Sequence, residues 1–480
     1  MFAKPSSRAF AGLSSRAKRG ICFSLAVLAT SISAASAQQT SSYHALGRAI
    51  LRELIETNTT ASAGNTTVIA DQLAVRFKEY GFADADVQVV GPSVKNRNLI
   101  VRYRGSGSRK PVLLLAHLDV VEAKRDDWTY DPFTLTENGG YFYGRGTQDI
   151  KGGAATLIAA VLRLKQEGWT PDRDLILALT AGEEGGPYNG VDWLLKNRRA
   201  LVDAEYVINV DAGGGEIENG KNTLFAVQAG EKVFHSVSLT VRNPGGHSSM
   251  PRSDNAIYSL TAALQRLSKY EFPAKPSAIV KAYFTNAAKT ATPPVAADMR
   301  RVAAGTADAA TFARLSKSPL YNAFLRTTCV ATMLEAGHAE NALPQTAKAT
   351  VNCRMLPGED PAGVERTIAR VINDTSVHLV ATDTAIQSPP SPLRPDLFAA
   401  IDASLKAVLG PIPISPTMET GATDGLYFRN AGIPVYGFTG IFLAVDDNRM
   451  HGKDERILIK AFDDALDFTY DVLKRIGRER

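Results

Sequence analysis

Three short apolar runs each stop at ionisable residues, and this feature constrains the chain more than any other. Val112–Leu115 runs into Ala116-His117-Leu118-Asp119. Leu175–Thr180 runs into Ala181-Gly182-Glu183-Glu184. Tyr206–Val210 ends on Asp211, just before Gly213-Gly214-Gly215. Apolar runs of this length, bounded by turn signals, read as buried strands. Open α/β sheets place their sites beyond the carboxyl ends of such strands.

The surrounding pattern agrees with an α/β sheet flanked by helices. His44–Glu56 and Val68–Tyr80 have helical apolar spacing, and Gly81 closes the second. Val87–Val90 and Asn98–Tyr103 read as further strands, and Gly152–Gln166 as a helix rich in small residues. The character changes near Glu231. Val233–Val241 alternates as a half-exposed strand, and Asn255–Lys269 reads as a helix. A proline-containing stretch around residues 272–328 follows. Thr327–Leu334 and Ala347–Met355 then form a hairpin, and Pro361–Asn373 an amphipathic helix. Helical patterns return in Asp396–Leu409 and Lys460–Ile476. The expected fold is a catalytic domain with a mixed sheet, in two parts (residues 38–230 and 387–480). A smaller α+β domain is inserted between them (residues 231–386).

Residues 1–37 read as a leader. Lys4, Arg8, Arg16, Lys18 and Arg19 precede the short apolar run Ile21–Thr30, and Ala35-Ser36-Ala37 is a small-x-small cleavage signal. The run is too short to span a membrane. The expectation is a secreted, periplasmic protein without a membrane anchor after cleavage. The leader's five basic groups account for the whole formal charge of +5, leaving the remainder near zero. That removes the case for a nucleic-acid partner. An oxidising compartment permits a disulfide between Cys329 and Cys353, which flank the hairpin turn; two buried thiols are the other reading.

Each motif alone has a plain structural reading. His117-x-Asp119 can be a core pair, Asp149 in Gly144–Gly153 a helix cap, and Glu183-Glu184 a solvated loop. His451, in Met450–Glu455, can be ordinary surface. Together they place two histidines and several carboxylates at three strand ends, one helix start and one late loop. The chain has only seven histidines. Such a donor set suits a pair of zinc ions, with Co2+ or Mn2+ as substitutes. Asp119 would orient the ligands from nearby.

These motifs, in this order, resemble the co-catalytic zinc metallopeptidases that include carboxypeptidase G, aminoacylase, succinyl-diaminopimelate desuccinylase and carboxypeptidase S. The resemblance covers nearly all of the chain after the leader. It implies that His117 and Asp211 hold one zinc, that Glu184 and His451 hold the other, and that Asp149 bridges them. Glu183 would be the general base. In the insertion, Asn243–Pro251 resembles the family's lid motif, which implies oxyanion stabilisation by His247. Asn341 and Arg354 match lid segments that hold a substrate carboxylate. The Thr420–Gly425 loop, with Gly421 and Thr423, resembles the loop that closes over it.

The implied activity is hydrolysis of an amide bond beside a free carboxylate, in a small peptide or an N-acyl amino acid. An aminopeptidase with a similar metal pair is the rival reading, and a non-catalytic binding protein on the same fold is another. Short-lidded relatives dimerise through the insertion. The long insertion here leaves open a homodimer or a monomer that supplies His247 within one chain.

Overall fold

A computed structural model describes residues 42–478. The leader expected over residues 1–37 lies outside them. The expected α/β fold is present, with a mixed sheet between layers of helices. The ten-stranded sheet runs in the order Val87–Val90, Asn98–Tyr103, Arg173–Thr180, Arg109–His117, Tyr206–Asn209, Val435–Gly437, Lys221–Glu231, Gly214–Glu218 and Phe442–Ala444. Ile414–Glu419 pairs with Lys221–Glu231 off this path. The centre is parallel: Arg109–His117 lies between Arg173–Thr180 and Tyr206–Asn209, with His117 opposite Thr180 and Leu115 opposite Asn209. That register brings the three apolar runs to a common end. Their side chains are buried on both faces, so the runs show no alternation.

Helix Lys151–Gln166 packs beneath this centre. Gly152 and Gly153 keep its first turn close to the strands, because a Cβ on Gly153 would sit 2.9 Å from Val210. Helix Ile459–Ile476 covers the same face, with Phe462, Ala465, Phe468 and Val472 in the main core.

The second sheet has the order Thr328–Ala336, Thr346–Met355, Val233–Arg242, Val377–Ala381, all antiparallel. Helices Ala256–Ser268 and Pro361–Ile372 give it a core of its own, through Leu260, Val351, Ile368 and their neighbours. The strand Val233–Arg242 is central rather than half-exposed. Ser236 and Ser238 are buried as well, and Asn352 donates to Ser236 Oγ at 2.9 Å. The alternation reflected hydroxyls that can be buried when bonded, not a wet face. Cys329 and Cys353 are register partners on neighbouring strands and are disulfide-bonded.

One stretch behaves unlike the expectation. Residues 278–325 form four helices: Ala278–Ala287, Pro293–Ala304, Ala309–Leu315 and Pro319–Leu325. Their apolar faces, including Ile279, Phe284, Met299 and Leu325, join the core of the large sheet, not that of the small one. Sequence spacing shows that a helix has an apolar face but not which core will accept it.

Candidate active site

The central strand ends converge on one cluster. His117 ends its strand, and its Nδ1 bonds the backbone carbonyl of Asp119 at 2.9 Å. This leaves Nε2 facing Asp149 Oδ1 at 3.1 Å and Asp211 Oδ1 at 3.6 Å. The other Asp149 oxygen, Oδ2, lies 3.0 Å from His451 Nε2, and Glu184 Oε2 lies 3.1 Å from the same nitrogen. The two oxygens of Asp149 therefore face two different imidazoles. Potential ligand atoms of His117, Asp149 and Glu184 lie within 4.8 Å of one another, as do those of His117, Glu183 and Asp211. His451 adopts a left-handed backbone at φ 61°, uncommon outside glycine, within the turn that presents its ring.

Local folding explains each placement. Asp149 is not a helix cap: Ile150 occupies the cap position and makes no side-chain cap bond. Asp149 is instead held by the glycine-rich turn wrapped around the buried Glu455. That carboxylate accepts from Arg145 Nη1 at 2.6 Å and from the backbone amides of Gly146, Gln148 and Asp149 at 3.0, 2.7 and 3.0 Å. Asp119 does not bond the His117 ring with its carboxylate, which is 3.9 Å away. Its carboxylate instead accepts from the backbone amides of Gly182, Glu183 and Glu184 at 2.7, 3.2 and 2.9 Å, fixing the loop that carries both acids. Gly182 is required at this bend. Its φ is 77°, and a Cβ would sit 1.9 Å from the Tyr188 carbonyl oxygen.

The electrostatics are those of a site built for cations. Burial pushes Asp211 up to about 7, with Asp149 adding to the effect. Burial and the Asp149 charge push Glu184 up to about 7. Burial and Asp211 raise Glu183 well above the carboxylate range. Burial opposes the charged form of His117, but the Asp211 charge and the bonds to Asp149 and Asp211 outweigh it and hold the ring well above its usual value. The bond to Asp149 raises His451 to about 9. Carboxylates crowded this closely resist ionising together, and a bound cation relieves that strain. The donor set, imidazole nitrogen and carboxylate oxygen, fits a borderline-hard divalent ion.

Beside the cluster lies a cavity of 660 Å³ lined by Asp149, Glu183, Glu184, Asp211 and His451, and also by Gly421 and Thr423. Thr423 is not free to hold a ligand as expected. Its N–H and hydroxyl both donate to Glu231 Oε2, at 3.2 and 2.9 Å. The other three expected contact residues are not in the lining. His247 is exposed, and its Nδ1 bonds Ser249 Oγ at 2.7 Å. Asn341 is exposed, and its carbonyl accepts from Ser248 N–H at 3.0 Å. The half-buried Arg354 lies over the Phe234 ring at 4.8 Å. All three belong to the small sheet or its short annex, where Gly246–His247 pairs with Ala342–Leu343.

Sequence reasoning missed Asp424 and Glu231. Asp424 is buried behind the cluster, accepting from Asn189 Nδ2 at 2.5 Å and Thr180 Oγ1 at 3.3 Å; burial pushes it up to about 6. Its place next to Thr423 in a glycine-rich loop was the only available signal. Glu231 ends a strand without a motif around it.

A model of peptidase family M20/M25/M40 matches residues 113–475. A Dictyostelium discoideum protein described as probable carboxypeptidase S-like 2 is 28% identical over 403 residues, spanning 79% of this chain and 75% of its own length. The human N-fatty-acyl-amino acid synthase/hydrolase PM20D1 is 29% identical over 384 residues, spanning 78% of this chain and 75% of that protein. The crystal structure of an M20 family metallo-carboxypeptidase from Sulfolobus solfataricus superposes with a TM-score of 0.65 at 17% identity, over 89% of this chain and 98% of that one. The family match spans the strand ends, the inserted sheet and the late histidine loop alike. The chain therefore belongs to peptidase family M20/M25/M40.

Proposed function

We propose that the chain is a secreted zinc hydrolase that cuts an amide bond beside a free carboxylate, in a small peptide or an N-acyl amino acid. One observation carries the reading: the two oxygens of Asp149 face His117 and His451, each of which has a further carboxylate beside it. His117, Asp149 and Asp211 would hold one zinc, and Asp149, Glu184 and His451 the other. Bound there, the pair would polarise the scissile carbonyl and lower the pKa of the attacking water.

Glu183 lines the same cavity beside Asp211 and serves as the base. It takes a proton from the attacking water and passes it to the leaving nitrogen. Asp119 holds Glu183 and Glu184 in place through their amides. Arg354 is the fork that meets the free carboxylate, with Asn341 beside it, and His247 donates to the developing oxyanion. These three act after the small domain closes over the cavity. Since Thr423 is occupied by Glu231, the backbone of Gly421 is the loop's contribution. A homodimer through the small domain fits its outer strand Thr328–Ala336, which leaves Val330, Met333 and Leu334 exposed.

Glu183→Ala tests the mechanism. The variant should retain two zinc ions per chain by metal analysis and lose at least a hundredfold in turnover of N-acyl amino acids or dipeptides. Near-native turnover would remove Glu183 from the chemistry. N-blocked and C-blocked dipeptides separate the reading from an aminopeptidase: only the N-blocked compounds, with a free carboxylate, should be cut.

A further inference from the structure

A second cavity lies at the other end of the central strands, about 25 Å from His117 along the strand that carries it. Its volume is 370 Å³, within the range of small-molecule sites. Arg109 and Tyr206, the first residues of the strands Arg109–His117 and Tyr206–Asn209, form one wall. Arg475, in the last turn of helix Ile459–Ile476, and Arg478, just beyond it, form another. Leu397, Ala400 and Ala403 of helix Pro395–Val408 supply an apolar side.

Positive charge is in excess here. Arg173, the register partner of Arg109, and Arg394 flank the Tyr206 ring, at 5.9 and 4.5 Å from its centre. Three carboxylates pair with these guanidiniums. Glu205 meets Arg173 at 3.0 Å and Arg394 at 2.7 Å, Asp396 meets Arg394 at 2.6 Å, and Asp471 meets Arg475. Arg109 has no acidic partner among the described residues, and Arg478 donates only to the Thr170 carbonyl. Two of the five guanidiniums therefore lack a counter-charge.

Two buried side chains also lack the bonds that burial demands. Arg173 is 0% exposed, yet none of its side-chain nitrogens makes a hydrogen bond, and its contact with Glu205 is an ion pair only. Tyr206 is 2% exposed and lines the cavity, and its hydroxyl has no hydrogen-bond partner among the described residues. Burial pushes that hydroxyl up to about 12, so it remains a donor. A buried donor without an acceptor costs free energy, which an anion in the cavity offsets.

We propose that this cavity is a binding site for a phosphate monoester with a small apolar body. The donors converge from two strands and a helix. A planar carboxylate offers two oxygens to such a set, whereas a phosphate offers three, in different directions. The charge of a phosphate monoester at neutral pH, close to two, matches the two unpaired guanidiniums. The side lined by Leu397, Ala400 and Ala403 receives the organic part. The site uses none of the metal-ligand residues and stands apart from the hydrolytic reading.

The probes are phenyl phosphate, inorganic phosphate and benzoate, titrated into the full chain by calorimetry. Phosphate also meets metal ions, so each titration is run on the metal-loaded protein and again after metal has been removed by chelator and dialysis. Phenyl phosphate should bind in both forms, at least tenfold more tightly than either other probe in the metal-free one. Arg109→Gln and Tyr206→Phe should each weaken it by about tenfold. The second change removes one oxygen and keeps the packed ring, and an unaltered circular dichroism spectrum checks that the fold is kept. Arg300→Gln, at an exposed arginine elsewhere, should leave the affinity unchanged. Binding that vanishes with the metal overturns the proposal. So does equal affinity for either other probe, or an affinity that neither Arg109→Gln nor Tyr206→Phe lowers.

Discussion

Glu231 and Arg429 form an ion pair at 3.0 Å with both side chains essentially excluded from solvent, at 0% and 1% exposure. The same carboxylate accepts from Thr423 of the cavity loop, from the Ser388 hydroxyl and from Gln228 Nε2 at 3.1 Å. Glu231 and Ser388 lie on the two stretches of chain that connect the large sheet to the small one. One carboxylate thus ties both crossings to the loop beside the cluster. Glu231→Ala strands a buried guanidinium and should cost about 3–5 kcal/mol, read as a lowered midpoint in chemical denaturation. Adding Arg429→Met should recover part of that loss. If the double variant is as unstable as the single one, the stranded charge is not the cause.

Asp119 positions the two acids by binding their backbone amides with its carboxylate, not by contact with their side-chain carboxylates. Asp119→Ala leaves three amides without their acceptor and loosens the Gly182–Glu184 loop. Metal affinity should fall by about 10–100-fold, measured by competition with a chelator. Asp119→Asn keeps one acceptor oxygen and should lie between native and Ala.

The metal-free protein should lose stability as pH rises. Asp211 and Glu184 are raised to about 7 in the fold, chiefly by burial. An acid with a raised folded pKa destabilises progressively from its unfolded value, about 4, up to its folded value. His451, raised to about 9 chiefly by its bond to Asp149, contributes stability fully present below about 6.5 and lost as pH rises through 9. Both act in the same direction. Thermal melts in chelator should fall between pH 5 and 9, and added zinc should restore more at pH 8 than at pH 5, where protons compete for the ligands. A flat melting profile in chelator would contradict this account of the cluster.

The Cys329–Cys353 bond closes a loop with a sequence separation of 24. Cys329→Ser should destabilise the small domain by about 3 kcal/mol. Protection of the small-sheet amides from hydrogen exchange should fall, while the large-sheet strands keep theirs.

The outer strand of the small sheet gives a last test. Met333 is 58% exposed there. If the chain dimerises through this edge, Met333→Lys should shift the mass measured by light scattering from two chains to one. A dimer that survives the change places the interface elsewhere.

The amino-acid order alone determined the strand ends and the donors on them. A buried parallel strand must be a continuous apolar run, so the ionisable residue that ends it is conspicuous, as with His117, Glu183 and Asp211. What depended on long-range packing was not readable in the same way. Residues 278–325 read only as part of a proline-containing stretch, and the assembled core is what places their helices against the large sheet, with Tyr283, Leu320 and Phe324 on the cavity. Asp119 and Thr423 were visible as polar residues in suggestive motifs, but their partners are the amides of residues 182–184 and the carboxylate of Glu231. A hydrogen bond belongs to two groups, and when these lie 63 to 192 residues apart neither local spacing nor burial pattern names the second one. Apolar periodicity is a property of neighbours along the chain, whereas the pairing of buried polar groups is decided only when the folded chain excludes water and leaves each group the partners within its reach.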